Sequence, residues 1–174
     1  KILDERYEFQ QQFLHNLENN GYEIFKQPAD FKEKFPYEAI ERKALMRFLN
    51  ATQPDTLEKL EKIYHKGLED AIVSTINTEE SKAKGSRLNV LKKGIDIANY
   101  HLDLMFTRPE TSFNADANRL YAENIFSVSE EVWATDNKNQ EEDHKKGERV
   151  DLVLFLNGLA IIAIELKSNA CHQS

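Results

Sequence analysis

The chain has 174 residues, of which 40% are hydrophobic and 30% are charged, and its formal net charge is −7 at pH 7. This length suits one domain with a core of ordinary size, and no apolar run of about 20 residues is present that could span a membrane. The single cysteine, Cys171, excludes a disulfide framework and a cysteine-based zinc site. We therefore expect an intracellular globular protein whose overall charge does not attract nucleic acid.

The first half of the chain predicts mainly helices. Apolar spacing indicates an amphipathic helix from Leu3 to Asn19, which ends at Asn20-Gly21, and a short strand follows near Tyr22 to Phe25. Further helices are predicted from Tyr37 to Leu49 and from Thr56 to Thr75, and then a polar linker at residues 77–86. The most basic stretch could touch DNA or form a solvated face; it comprises Lys82, Lys84, Arg87, Lys92 and Lys93.

The second half predicts mainly strands. Apolar residues that nearly alternate from Gly94 to Thr107 predict one extended strand, and a short helix at 114–122 and a strand from Asn124 to Trp133 come next. The polar segment 134–148 is expected to be an exposed loop. The basic residues at its end are the best candidates for contact with a phosphate; they are Lys145, Lys146 and Arg149.

Two apolar runs separated by Asn157-Gly158 predict a β-hairpin near the end of the chain. Asp151 lies at the start of the first run, and Glu165 and Lys167 lie at the end of the second. Unpaired charges among apolar residues are costly, so these groups should be paired or should bind a ligand. Two carboxylates suit a hard divalent cation, and a lysine beside them suits a phosphate or a water. The alternative is a set of ion pairs at the strand ends, in which Arg149 takes part.

The type of turn decides whether the charged side chains share one face of the hairpin. A strict two-residue turn places Asp151 and Glu165 on opposite faces, which excludes a shared metal. A three-residue loop from Leu156 to Gly158, with Gly158 left-handed in a G1 bulge, places both carboxylates and Lys167 on one face. We predict this second register, or a bulge elsewhere in the hairpin with the same effect.

Asp151, followed on the next strand by Glu165-Leu166-Lys167, resembles the PD-(D/E)xK nuclease motif. The longer run from Arg149 to Lys167, RVDLVLFLNGLAIIAIELK, is similar to the nuclease domain at the N-terminus of the restriction (R) subunit of Type I restriction-modification enzymes. That family commonly has proline where this chain has Ala160. Residues 13–23 and 121–133 also resemble the family, so the similarity covers most of the chain.

The resemblance implies an α/β (α+β) fold with a restriction-endonuclease-like core, in which a mixed sheet is flanked by helices, and an additional helical part at residues 37–93. It implies a single nuclease domain over residues 1–174, with the remaining nuclease elements and the ATP-driven motor beyond its C-terminal side. It also implies a cytoplasmic, Mg²⁺-dependent endonuclease that cuts foreign unmodified double-stranded DNA. The implied partners are the modification and specificity subunits, and ATP is used only by the motor.

The same resemblance assigns roles to individual residues. Asp151 and Glu165 would hold Mg²⁺ with the backbone carbonyl of Leu166, and Lys167 would position the attacking water or stabilise the transition state. On the first helix Glu8 is a further candidate ligand, and a solvated helical carboxylate is the alternative. The isolated chain is expected to be inactive or nearly so. The second function left open is a non-catalytic interaction module that keeps the nuclease fold.

Overall fold

The computed structural model describes residues 2–25, 38–82, 85–130, 133–134, 148–149 and 152–165. The chain divides into two compact units. The sheet unit contains Lys1–Ala39, Phe126–Phe155 and Ile162–Ser174. The helical unit contains Ile40–Ile125 and Leu156–Ile161.

The described elements alternate between helices and short strands. Along the chain they are α1 (Ile2–Asn19), β1 (Glu23–Phe25), α2 (Arg42–Thr52), α3 (Pro54–Tyr64), a 3₁₀ turn (His65–Gly67), α4 (Leu68–Glu80), α5 (Arg87–Lys93), β2 (Ile95–Ile97), β3 (Tyr100–Leu102), α6 (Ala115–Ala122), β4 (Phe126–Glu130), β5 (Trp133–Ala134), β6 (Glu148–Arg149), β7 (Leu152–Leu156) and β8 (Leu159–Ile164).

The largest sheet has four strands in the order β1-β4-β7-β8. Strands β1 and β4 are parallel, whereas β7 and β8 are joined by so short a turn that they must be antiparallel. Helix α1 covers one face, where Leu14 packs in a cluster with Val128, Leu152 and Leu154. The sheet is therefore mixed and flanked by a helix, which confirms the predicted α+β class.

Helix α1 ends at the predicted place. Gly21 has a φ of +88°, and the backbone N–H groups of Gly21 and Tyr22 donate to the carbonyls of Glu18 and Leu17, both at 3.0 Å. These two bonds form a Schellman motif, which satisfies the last carbonyls of the helix. The chain then enters β1 directly, so this glycine fixes how α1 is connected to the sheet that it covers.

The helical unit has a separate apolar core. Phe48, Leu49, Leu60 and Ile72, from α2, α3 and α4, are fully buried in it. Burial of each such side chain contributes about 1.5–3 kcal/mol. The predicted additional helical part is therefore confirmed as a packed unit with its own core.

Two predicted helices have different boundaries in the structure. The helix predicted from Tyr37 to Leu49 is α2, which begins only at Arg42, because the Glu41 side chain accepts a bond from the Ala44 N–H and caps it. The single helix predicted from Thr56 to Thr75 is wrong, because His65 has a φ of +53° and a 3₁₀ turn separates α3 from α4. The predicted linker at 77–86 is also shorter, since α4 continues to Glu80.

The single strand predicted from Gly94 to Thr107 is wrong. It is a small hairpin in which β2 and β3 pair with Ile95 opposite Leu102. The turn residues Ala98 and Asn99 both have positive φ, 48° and 65°, and an alanine there gives little sequence signal for a turn. The strand predicted at 124–133 is present as β4 over Phe126–Glu130, and residues 131–132 lie outside the described residues. The helix predicted at 114–122 is confirmed as α6.

Among the described residues, no helix combines the length and the apolar character that crossing a membrane requires. Most of the loop predicted at 134–148 lies outside the described residues. Its two ends are described as β5 and β6, which pair with each other as antiparallel strands.

Candidate functional site

The hairpin that carries the candidate site turns in two residues. Strand β7 ends at Leu156 and β8 begins at Leu159, and Asn157 and Gly158 between them have φ values of +49° and +83°. Two successive positive φ values are typical of a type I′ turn. The predicted three-residue loop with a G1 bulge is therefore wrong, because it requires a right-handed Asn157.

Asn157 adopts this conformation because its side chain is held by three hydrogen bonds. The residue is fully buried. Its amide nitrogen donates to the carbonyl of Leu104 at 2.9 Å and to Oδ1 of Asn124 at 3.0 Å. Its Oδ1 accepts from the backbone N–H of Ile125 at 2.7 Å. Each bond to a buried partner contributes about 1 kcal/mol, so the turn is fixed by its surroundings as well as by its own sequence.

Gly158 makes the second contact that holds the turn. Its carbonyl accepts from the Glu41 N–H at 2.6 Å, just before α2. A Cβ at this position would lie 2.3 Å from the Glu41 carbonyl oxygen and 2.7 Å from the Leu45 nitrogen. Only glycine fits between the turn and α2, so the sequence signal for a turn is also a signal for close packing.

The packing of Ile164 departs from regular alternation along β8. Across a two-residue turn Leu159 faces Leu156, so regular alternation would place Ile164 on the face of the sheet away from Leu154. Ile164 instead packs against the cluster that contains Leu154. Loss of one step of alternation before Ile164, as in a β-bulge, would produce this packing. The two residues before it, Ile162 and Ala163, are both exposed, which fits this position for the bulge.

Glu165 is the one residue of the predicted catalytic triplet that the structure describes. It directly follows β8, and its side chain is exposed. Asp151, Leu166 and Lys167 lie outside the described residues. Within the described part of the chain, no three His, Cys, Asp or Glu residues are grouped so that they could hold a metal.

The predicted DNA-contact residues are only partly described. Lys145 and Lys146 lie outside the described residues. The backbone of Arg149 pairs with Trp133 in the β5–β6 ladder. Arg149 therefore occupies a strand next to the start of β7, on the chain segment that leads into the candidate site.

Glu8 lies exposed on α1. The polar link between α1 and the sheet is made by another residue, since Gln11 Nε2 donates to Glu130 Oε1 at 3.1 Å. Glu130 ends β4 and shares the face of Val128, the face that α1 covers. Sequence reasoning missed this pair, because a glutamine on an amphipathic helix carries no signal until its partner strand is known.

Two basic residues of the most basic stretch form ion pairs with glutamates of the helical unit. Arg87 binds Glu80 with two hydrogen bonds, Nε to Oε1 at 2.8 Å and Nη2 to Oε2 at 3.1 Å, and it reaches the Ala160 carbonyl at 3.4 Å. Lys82 pairs with Glu79 at 2.5 Å. Such two-pronged pairing favours a structural role for Arg87 over contact with DNA.

Comparison with known proteins identifies the chain. A family model described as the Type I restriction enzyme R protein N terminus (HSDR_N) matches residues 2–174. No curated protein and no solved structure gives a match. The matched range includes the sheet, the helical unit and the hairpin that ends at Glu165. The chain therefore belongs to the family of Type I restriction enzyme R protein N-termini.

Proposed function

We propose that this chain is the metal-dependent endonuclease module of a Type I restriction enzyme R subunit. The observation that carries the proposal is the packing of Ile164 against the cluster that α1 covers, in a hairpin of this family. A bulge before Ile164 would account for this packing and would direct Glu165 to the face opposite α1. Asp151 immediately precedes Leu152, which faces α1, so alternation predicts that Asp151 points to the same face as Glu165. A metal site needs such a shared face.

The chemistry of the proposed ligands suits Mg²⁺. Two carboxylates, Asp151 and Glu165, and the carbonyl of Leu166 form an all-oxygen donor set, which is what a hard divalent cation prefers. The exposed side chain of Glu165 is accessible to an ion and to a phosphodiester. Glu8, exposed on α1, stays a prediction as a further ligand.

Each residue of the triplet has a distinct task in hydrolysis. The carboxylates of Asp151 and Glu165 would fix the cation at the end of the hairpin. When bound, the cation supplies Lewis-acid polarisation of the scissile phosphate and of the attacking water. The Lys167 ammonium would donate hydrogen bonds to the phosphate oxygens and stabilise the negative charge that grows on them in the transition state.

The module is proposed to act in the cytoplasm within a larger enzyme. Cleavage of foreign unmodified double-stranded DNA would follow translocation by an ATP-driven motor, together with modification and specificity subunits. The net charge of −7 fits a module that cuts DNA gripped by other parts of the complex, since an acidic surface does not collect DNA by itself.

The test is cleavage of plasmid DNA by the assembled enzyme with Glu165→Gln or Asp151→Asn in its R subunit. We expect each variant to lose cleavage by about a hundredfold or more, while ATP hydrolysis and translocation continue. Glu123→Gln, which changes an exposed carboxylate beyond α6, is the matched control and should cut normally. Cleavage by Glu165→Gln at the control rate would overturn the proposal and leave the non-catalytic interaction module.

A further inference from the structure

We infer that Asn157 is a positioning residue of the proposed nuclease, because it sets the register of β7 against β4. This inference rests on the proposed function for its catalytic consequence. Its structural part depends only on contacts between described residues. Asn157 lies in the turn, at the opposite end of β7 from Asp151, and would act on the site through the strand.

Asn157 closes the pairing of β4 and β7 at the turn. Its backbone N–H donates to the carbonyl of Ile125 at 2.8 Å. In an antiparallel pair the Ile125 N–H would return a bond to the carbonyl of Asn157. Here it donates instead to the side-chain Oδ1 of Asn157 at 2.7 Å. The amide oxygen therefore replaces a ladder carbonyl that the turn has directed elsewhere.

The register set at the turn recurs in the separate pairing of β5 with β6. Trp133 pairs with Arg149, and Trp133 follows Ile125 by the same number of residues as Arg149 precedes Asn157. Val128 and Leu154, which this register places opposite each other, belong to one cluster. The two short pairings therefore have the same register as the pairing at Asn157.

A slip of one residue would move every side chain of β7 to the other face. Asn157 opposes such a slip because its amide nitrogen donates hydrogen bonds to two acceptors outside the β4–β7 pair, the Leu104 carbonyl and Asn124 Oδ1. Asn124 is itself fixed, since its side chain bonds to both the N–H and the carbonyl of Phe106, at 3.2 and 2.6 Å. The side chain of Asn157 is thus held by residues of its own unit, of which Asn124 is hydrogen-bonded in turn.

These partners require an amide and reject a carboxylate. In Asn157→Asp the nitrogen becomes an oxygen that faces two acceptors in a fully buried position, while the shape of the side chain stays nearly the same. Two hydrogen bonds are replaced by repulsion, and the bond from Ile125 remains possible. Asn157→Asp therefore removes the anchor with little change in packing.

The experiment compares Asn157→Asp with Leu60→Ala in the assembled enzyme. Leu60 is fully buried in the core of the helical unit, and its truncation removes none of the hydrogen bonds of the turn. At a temperature where both variants are folded, we expect Asn157→Asp to reduce single-turnover cleavage about tenfold or more and to weaken Mn²⁺ binding. Leu60→Ala should change both by less than about twofold. Equal behaviour of the two variants would overturn the inference.

A register reporter tests the same inference without catalysis. Cysteines at Val128 and Leu154, in a background with Cys171→Ser, should form a disulfide readily, since Cα atoms at such non-hydrogen-bonded positions are about 4.5 Å apart. Adding Asn157→Asp, or the milder Asn124→Ala if the first does not fold, should slow bond formation. An unchanged rate would contradict the inference. The proposed nuclease activity would fail separately, through retained cleavage in Glu165→Gln.

Discussion

Replacing Gly158 with alanine tests whether the hairpin turn is locked against α2. The residue has a φ of +83°, and an added Cβ would lie 2.3 Å from the carbonyl oxygen of Glu41 and 2.7 Å from the nitrogen of Leu45. Gly21 provides a matched control. Its φ is +88°, but an added Cβ there would meet nothing within 4 Å.

The two substitutions share one cost and differ in another. The left-handed conformation costs an alanine about 1–2 kcal/mol at either site. At Gly158 the clash with backbone atoms adds about 1–3 kcal/mol, and movement of the turn would weaken the bond from Glu41, which contributes about 1 kcal/mol. We expect Gly21→Ala to cost about 1–2 kcal/mol and Gly158→Ala about 3–6 kcal/mol.

The assay is thermal unfolding followed by circular dichroism at the helical band. For a chain of this size 1 kcal/mol corresponds to about 2–4 °C in the melting temperature. Gly158→Ala should therefore melt at least about 4 °C below Gly21→Ala. Equal melting temperatures for the two variants would refute the close packing of the turn against α2.

Three further predictions concern single polar groups. Ser127 is buried, and its hydroxyl has no hydrogen-bond partner within the described part of the chain, so Ser127→Ala should leave the free energy of unfolding unchanged or raise it by about 1 kcal/mol. Thr52→Val loses a 2.8 Å bond to the Phe48 carbonyl and should lower the free energy of unfolding by about 1 kcal/mol in denaturant titrations; the reverse order would contradict this. Arg87→Lys should lose the two-pronged pairing with Glu80 and lower the free energy of unfolding by about 1–2 kcal/mol, while DNA binding by the assembled enzyme stays unchanged. Weaker DNA binding with an unchanged free energy of unfolding would show that Arg87 contacts DNA instead. The pKa of His101 is raised above 6.5 by its hydrogen bond to Asp96 and by the charge of Asp103. A small stabilisation of the folded state should therefore be present below pH 6.5 and be lost as the pH rises through the folded pKa. Proton NMR of the imidazole should show that Asp96→Asn lowers this pKa, and an unchanged pKa would exclude the hydrogen bond.

The hairpin could be predicted from the sequence, but its register could not. Asn157-Gly158 is a local signal, and any chain with this pair between apolar runs tends to turn there. Whether the turn takes two or three residues depends on the buried amide of Asn157 and its partners Leu104 and Asn124, which are far away in sequence. A bulge elsewhere in the hairpin, with the same effect on side-chain direction, stays a prediction, since Asp151 and Lys167 lie outside the described residues.

The predicted boundaries of the helices, and the single strand predicted from Gly94 to Thr107, are wrong for a similar reason. Apolar spacing continues smoothly through Tyr64 and Leu68, so nothing in the periodicity marks the 3₁₀ turn at His65–Gly67. The Ala98-Asn99 turn of the small hairpin carries no glycine, and its positive φ values are maintained by the pairing of β2 with β3. In both places tertiary contacts override weak local preferences.

The central claim is that Asp151 and Glu165 hold one cation between them. The most direct measurement is a crystal structure of the chain soaked in Mn²⁺, read from the anomalous signal of the metal. The account predicts one Mn²⁺ peak that both carboxylates contact, on the face of the hairpin opposite α1, and no peak in Glu165→Gln. A wild-type map in which the two carboxylates point to opposite faces, with no shared Mn²⁺, would contradict it.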